Sequence, residues 1–117
     1  MRASVRSVDV SQLLKGVLDL AVLAALRHDD GYGYDILRRL RTAGLEDVGD
    51  ASVYGTLRRL FQAGYLTTYV VPSDEGPHRK YYALNAAGRV HLDRSSKVWQ
   101  GFVSTMDQLL DERGITA

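Results

Sequence analysis

Three groups of side chains in this 117-residue sequence have the types and spacing to act on a polyanion. The first is Ser52, Tyr54 and Thr56, which alternate with Ala51, Val53 and Gly55 and are followed by Arg58 and Arg59. Hydroxyls donate to phosphates or base edges and guanidiniums add charge. The small residues between them suit entry into a DNA major groove about 12 Å wide. Taken alone, the same residues also suit a solvated helix face. The second group is His78-Arg79-Lys80, directly after Gly76-Pro77, three potential cations able to neutralise phosphates in or beside a minor groove. A surface hairpin that carries lysine against edge-to-edge pairing accounts for them as well. Asp74 and Glu75 at the preceding turn put any contact on the rising strand and not on the tip. The third group is Tyr32 and Tyr34, flanking Gly33 at a helix start, where free N–H groups receive phosphate. Either tyrosine taken singly fits a core position equally well.

A different chemistry is open to Trp99, the sole tryptophan. It packs a subunit interface, or, paired with its symmetry mate, it offers two large π faces to a flat ligand. Ser95, Val98 and Phe102 lie one turn away on the same side, and Leu13, Leu14 and Val17 of an early helix are the expected opposite wall. No Lys or Arg is expected on the seam between Leu92 and Leu109 apart from Lys97 at its edge, so neutral or cationic planar molecules are expected over polyanions.

Catalysis has little support. His28, His78 and His91 have no metal-ligand spacing, and no cysteine is present to act as nucleophile or thiolate ligand. No GxSxG elbow, phosphate loop or dinucleotide fingerprint occurs. Asp29-Asp30 and Asp74-Glu75 sit in turns, where carboxylates are normally solvated. The expectation is a protein that is not an enzyme and needs no cofactor or metal.

The elements that must position these groups follow from periodicity. Positions 1–10 lack a period and read as a mobile arm. Ser11 to His28 reads as one helix, apolar over most of its circumference and so buried on more than one side. Asp29-Asp30-Gly31 breaks it. A second helix runs from about Tyr32 to Ala43, with Ile36, Leu37 and Leu40 inward, Arg38, Arg39 and Arg41 mostly outward, and Gly44 as stop. A third starts at Asp50 or Ser52 and ends near Ala63, before Gly64. Its core face is Val53, Leu57, Leu60 and Phe61, and Ser52, Thr56 and Arg59 line the opposite side. Leu66–Val71 and Arg79–Leu84 are β-rich and make a hairpin around a loop of about six residues. Asn85 caps a last helix that continues to about Arg113, with a seam of Leu92, Ser95, Trp99, Phe102, Met106 and Leu109. So long a seam exceeds what a core of this size can cover, which implies a dimer. The fold class is mainly α with a β-hairpin wing: a winged helix-turn-helix over 11–84 and a C-terminal dimerisation helix over 85–117.

Composition agrees with that assignment. Fifteen Lys and Arg against fourteen Asp and Glu exclude a polyelectrolyte tail or a histone-like protein, and 45% hydrophobic residues are ordinary for a soluble domain. The most apolar run, Leu13 to Leu26, carries Lys15 and Asp19 and is too short and charged to span a bilayer or act as a signal peptide. The expectation is a cytoplasmic protein with no membrane partner.

The blocks Leu14-Lys15-Gly16-Val17-Leu18, Gly31-Tyr32-Gly33-Tyr34-Asp35-Ile36, Ser52 to Leu60, Ala63-Gly64-Tyr65-Leu66 and Gly76 to Gly88 together resemble the PadR family of bacterial transcriptional regulators. The resemblance covers residues 12–110, and the single last helix is similar to the short subfamily that includes multidrug-responsive repressors. It implies a homodimeric repressor of its own and neighbouring genes, often transporters or detoxification enzymes, with the first and last helices packed across a two-fold axis. It implies a double-stranded operator as partner, with half-sites about one helical turn apart. The recognition-helix tyrosine falls on Tyr54, the wing basic pair on Arg79 and Lys80, and the tryptophan of the ligand pore on Trp99. Gly49, Ala51, Gly55 and Asn85 depart from the family pattern, and none removes a DNA-contact type. Two further readings stay open: a repressor without a small ligand, controlled by a partner or by abundance, and a winged-helix module that binds protein.

Overall fold

The computed structural model describes residues 10–112. Of the arm expected over 1–10 only Val10 is among the described residues, where it begins a helix, and the last helix ends at Leu110, three residues short of the expected Arg113, because the backbone turns extended at Asp111. In chain order the elements are α1 (Val10–Leu14), α2 (Leu18–Ala25), β1 (Gly31–Tyr32), α3 (Gly33–Thr42), α4 (Asp50–Gln62), β2 (Leu66–Val71), β3 (Arg79–Leu84) and α5 (Ala86–Leu110). This is a winged helix-turn-helix followed by one long helix.

The first helix is not continuous, contrary to the reading of one helix from Ser11 to His28. Glycine is a poor helix former, and around Gly16 the backbone makes short-range bonds, Gly16 N–H to Leu13 O at 3.4 Å and Val17 N–H to Leu14 O at 3.0 Å. The turn buries Leu14 in the core while Leu13 stays 72% exposed. After it, α2 packs against α3, α4 and α5 at once, which explains an apolar circumference within a single chain. It stops at Ala25, three residues earlier than expected. Arg39, read as outward, turns inward there and donates to the carbonyls of Ala25, Asp29 and Asp30 at 2.9, 2.8 and 2.7 Å.

Helices α3 and α4 end alike. Gly44 and Gly64 take positive φ, +123° and +91°. Each lets the next residue bond back to the last turn, Leu45 N–H to Leu40 O at 3.0 Å and Tyr65 N–H to Leu60 O at 3.1 Å. Val22, Leu23, Ile36, Leu37, Val53 and Leu57 are fully buried between the helices. Phe61, assigned to the core face of α4, is 42% exposed instead. It follows Leu60 directly, so one residue of helical rotation carries it off the Val53–Leu57–Leu60 stripe.

The hairpin gains a third strand that the sequence reading missed. The sheet order is β1-β3-β2, all antiparallel, with Tyr32 opposite Tyr81 and Tyr69 also opposite Tyr81. Two residues give no period, so Gly31-Tyr32 read only as a break and a helix start. Asn85 caps α5: its Oδ1 accepts from Gly88 N–H at 2.8 Å and its Nδ2 donates to Gly64 O at 2.9 Å. The helix leaves the core after Leu92, and Val98, Trp99, Phe102, Leu109 and Leu110 are exposed. Among the described residues no helix is long and apolar enough to cross a membrane.

Candidate nucleic-acid interface

Helix α4 is preceded by Gly49, which offers no side-chain cap. Its first turn is held from outside: Arg41 donates to Val48 O at 2.9 Å and pairs with Asp50 at 3.3 Å. Ala51, Ser52, Gly55 and Arg58 are on or near the open face, and Tyr54 stands at its edge, 41% exposed. Thr56, expected beside Ser52 on the outward side, is only 3% exposed. It lies three residues after Val53 and four before Leu60, so the core stripe takes it in. Arg59 is exposed but committed, forming an ion pair with Asp19 of α2. Arg58 makes no ion pair among the described residues.

Tyr54 is tied to the other tyrosines through Gly33. A methyl group on Gly33 would stand 1.9 Å from Tyr54 Cε1, so only glycine lets this ring lie against the start of α3. From there the aromatic surface is continuous. The Tyr34 and Tyr32 rings are 6.4 Å apart, Tyr32 and Tyr81 5.5 Å, and Tyr81 stacks on Tyr69 at 5.5 Å. Arg38 lies over Tyr34 at 5.5 Å and Arg79 over Tyr32 at 4.7 Å. The Tyr69 hydroxyl donates to Asp30 at 2.7 Å, and that bond to a carboxylate pushes its ionisation above the ordinary phenol value.

Strand alternation divides the wing cations. Arg79 shares a face with Tyr81 and this tyrosine row, whereas Lys80 points the other way, over Tyr82 at 5.8 Å. His78 is exposed in the loop just before β3. The structure therefore brings Tyr34, Tyr54 and Arg79 together, leaves Ser52 and Arg58 on the adjoining helix face, and separates Lys80 from them. Lys15 was missed: with Ser52 and Arg59 it lines a concavity of about 340 Å³ between the Gly16 turn and α4. Nothing in the sequence pairs position 15 with position 52, because the Gly16 turn makes that juxtaposition.

A second concavity, about 930 Å³, runs between α5 and the Gly16 turn. Trp99, Phe102, Ser95, Val98, Leu13 and Val17 all line it, and Trp99 and Phe102 are 6.0 Å apart. Leu14 does not line it, being packed in the core. Arg94 does, which corrects the reading of a seam without cations, and so do His91 and Asp19. Lys97 pairs with Asp93 at 3.4 Å. The described residues hold no cluster of His, Asp and Glu that could bind a metal. His91 is engaged in stacking on Tyr65, 4.0 Å between ring centres.

Comparison with known proteins gives this geometry a context. Residues 22–94 match the model of the transcriptional regulator PadR-like family. A PadR-like transcriptional regulator of Bacillus cereus is 30% identical and superposes with a TM-score of 0.75 over 86% of this chain and 97% of its own. A PadR family transcriptional regulator of Eggerthella lenta is 26% identical, with a TM-score of 0.82 over 95% of this chain and 96% of its own. PadR of Bacillus subtilis, solved in complex with operator DNA, is 25% identical, with a TM-score of 0.62 over 67% of this chain and 46% of its own. With more than half its length matched, this chain belongs to the PadR-like family of transcriptional regulators, a family of regulators and not of enzymes.

Proposed function

We propose that this chain is a homodimeric, ligand-responsive repressor that binds a pseudo-palindromic operator in the cytoplasm. Residues 11–84 form its DNA-binding unit, and the segment 85–117, through α5, its dimerisation unit. The observation that carries the DNA reading is the continuous surface from α4 through Gly33 to the wing, on a fold similar to that of an operator-bound PadR. Arg58, Ser52 and Tyr54 address the major groove. Ala51 and Gly55 leave the helix thin where bases approach. Tyr34 and Arg79 reach phosphates on one side, and His78 and Lys80 add weaker contacts from the loop and the far face of the wing. Thr56 is too buried to touch a base, and Arg59 contributes by fixing α4 against α2.

The dimer reading rests on the exposed row Val98, Trp99, Phe102, Leu109 and Leu110 beside Leu13. At about 25 cal/mol per Å² of apolar surface removed from water, a second copy gains much by covering it. The groove at Trp99 then lies at the subunit boundary and takes a planar aromatic effector, stacked on the indole. Asp19 and Arg94 at its walls extend the range from neutral and cationic molecules to amphiphiles of either charge. An effector that favours one spacing of the two α4 helices relieves or strengthens repression.

A gel shift of the full chain against its own upstream DNA, repeated over a range of salt, tests this reading. Retention that weakens steeply with salt supports it. Salt-insensitive or absent retention of every duplex overturns it in favour of a winged-helix module that binds protein. Light scattering of the free chain at micromolar concentration must show a dimer.

A further inference from the structure

We propose that Tyr32 is a positioning residue for DNA binding, whose ring holds Arg79 in the orientation that meets a phosphate. The proposal rests on the wing contact put forward above. Strand β1 has only two residues, and it adds an edge to the hairpin opposite Tyr81 and Tyr82. Directly opposed residues, and those two further along, share one face of a sheet. Tyr32 therefore stands beside Tyr81 and diagonally beside Arg79, whose guanidinium carbon lies 4.7 Å from the Tyr32 ring centre. Among the described residues Arg79 has no ion-pair partner that would compete for it.

The geometry suits arginine in particular. A guanidinium is planar: its face rests on an aromatic ring while its N–H edge stays free to donate in a fork to a phosphate. Ring contact and phosphate contact use different parts of the same group and do not compete. An ammonium has no such division, so lysine at this position would have to choose. The ring contact also removes rotamer freedom from a long side chain before DNA arrives, lowering the ordering cost at binding.

The seat is itself anchored. Tyr32 packs on Tyr81, Tyr81 stacks on Tyr69, and the Tyr69 hydroxyl is bonded to Asp30. The carbonyls of Asp29 and Asp30 are in turn held by Arg39 from α3. Wing and helical unit are thus joined at the middle of the hairpin, and Arg79 stands two residues from that joint toward the loop, on the same face. Lys80, over Tyr82 on the opposite face, has no part in it.

The test uses the full chain and a random-sequence duplex at low salt. Tyr32→Leu is expected to weaken binding about two- to five-fold, the range of an exposed cation–π contact. Tyr32→Phe, which keeps the ring, retains the parent affinity. In an Arg79→Ala background, Tyr32→Leu has no further effect. Arg79→Lys loses affinity although the charge is kept. Independently of DNA, the Arg79 side-chain protons are expected to show an upfield ring-current shift in the NMR spectrum that vanishes in Tyr32→Leu. If Tyr32→Leu is neutral while Arg79→Ala weakens binding, or if the two effects simply add, Tyr32 does not position Arg79 and the inference fails alone. If Arg79→Ala has no effect on any duplex, the wing contact proposed above fails, and this inference with it.

Discussion

Gly88 is the position where one methyl group should do the most harm. A β-carbon there would stand 2.1 Å from the Tyr65 carbonyl oxygen and 3.1 Å from Leu84 Cδ2. The first obstacle is backbone and cannot rotate away. The helix cannot easily retreat either, because Asn85 binds both Gly88 N–H and Gly64 O. Overpacking of this kind costs up to about 3 kcal/mol. Displacing the start of α5 would forfeit the Asn85 cap, roughly 1 kcal/mol. Against this stands the helix preference of alanine over glycine, about 1 kcal/mol. The net expectation for Gly88→Ala is a loss of about 3 kcal/mol, or roughly 12 °C in melting temperature for a domain near this size. Gly55→Ala and Gly101→Ala are the controls, since nothing lies within 4 Å of a β-carbon at either position. Both should melt slightly higher than the parent. Circular dichroism with heat and with urea measures all three. A Gly88→Ala protein as stable as the parent would refute the claim that the close crossing of α5 over Tyr65 is rigid.

Four further outcomes are expected. Tyr54→Ala weakens operator binding by about 1–3 kcal/mol, measured by fluorescence anisotropy, with little change in melting temperature. Arg79→Ala lowers the slope of log affinity against log salt by about one, whereas Lys80→Ala, on the opposite face, lowers it by less; equal slopes for the two would contradict the face assignment. Trp99 emission changes when planar dyes or drugs are titrated in, and Trp99→Ala abolishes their binding; unchanged emission across such a panel assigns Trp99 to packing alone. Because the folded-state ionisation of Tyr69 is raised, its bond to Asp30 supports the fold at and below the ordinary phenol value. That support is lost as pH rises through the higher folded value. Asp30→Asn should therefore lower the Tyr69 midpoint in a spectrophotometric titration.

Much of this protein is written locally. Helix stops at Gly44 and Gly64 need only the glycine conformation and a return bond inside the same turn. Strands β2 and β3 have the boundaries that their β-branched and aromatic residues dictate, and Asn85 caps its helix from three residues away. The Val53–Leu57–Leu60 stripe orients α4 by period alone, and the order of helices and hairpin follows from these signals. Local signals are strong wherever one chain segment satisfies its own hydrogen bonds and period.

Only the tertiary structure decided how those segments meet. Thr56 and Phe61 exchange the places their polarity suggests, because burial in α4 follows the angle around the helix and not the residue type. Arg39 and Arg59 look like free surface cations until α2 is brought beside them. Strand β1 exists only because β3 offers it an edge, and with it come the seat of Arg79 and the separation of Arg79 from Lys80. Arg94 enters the Trp99 groove through the angle at which α5 crosses the Gly16 turn. Sequence by itself thus determined the order of the main helices and the hairpin and several of their ends, at Gly44, Gly64 and Asn85, since those are short-range energies. Which side chains share a surface depends on packing between residues far apart in the chain, and no local period encodes it.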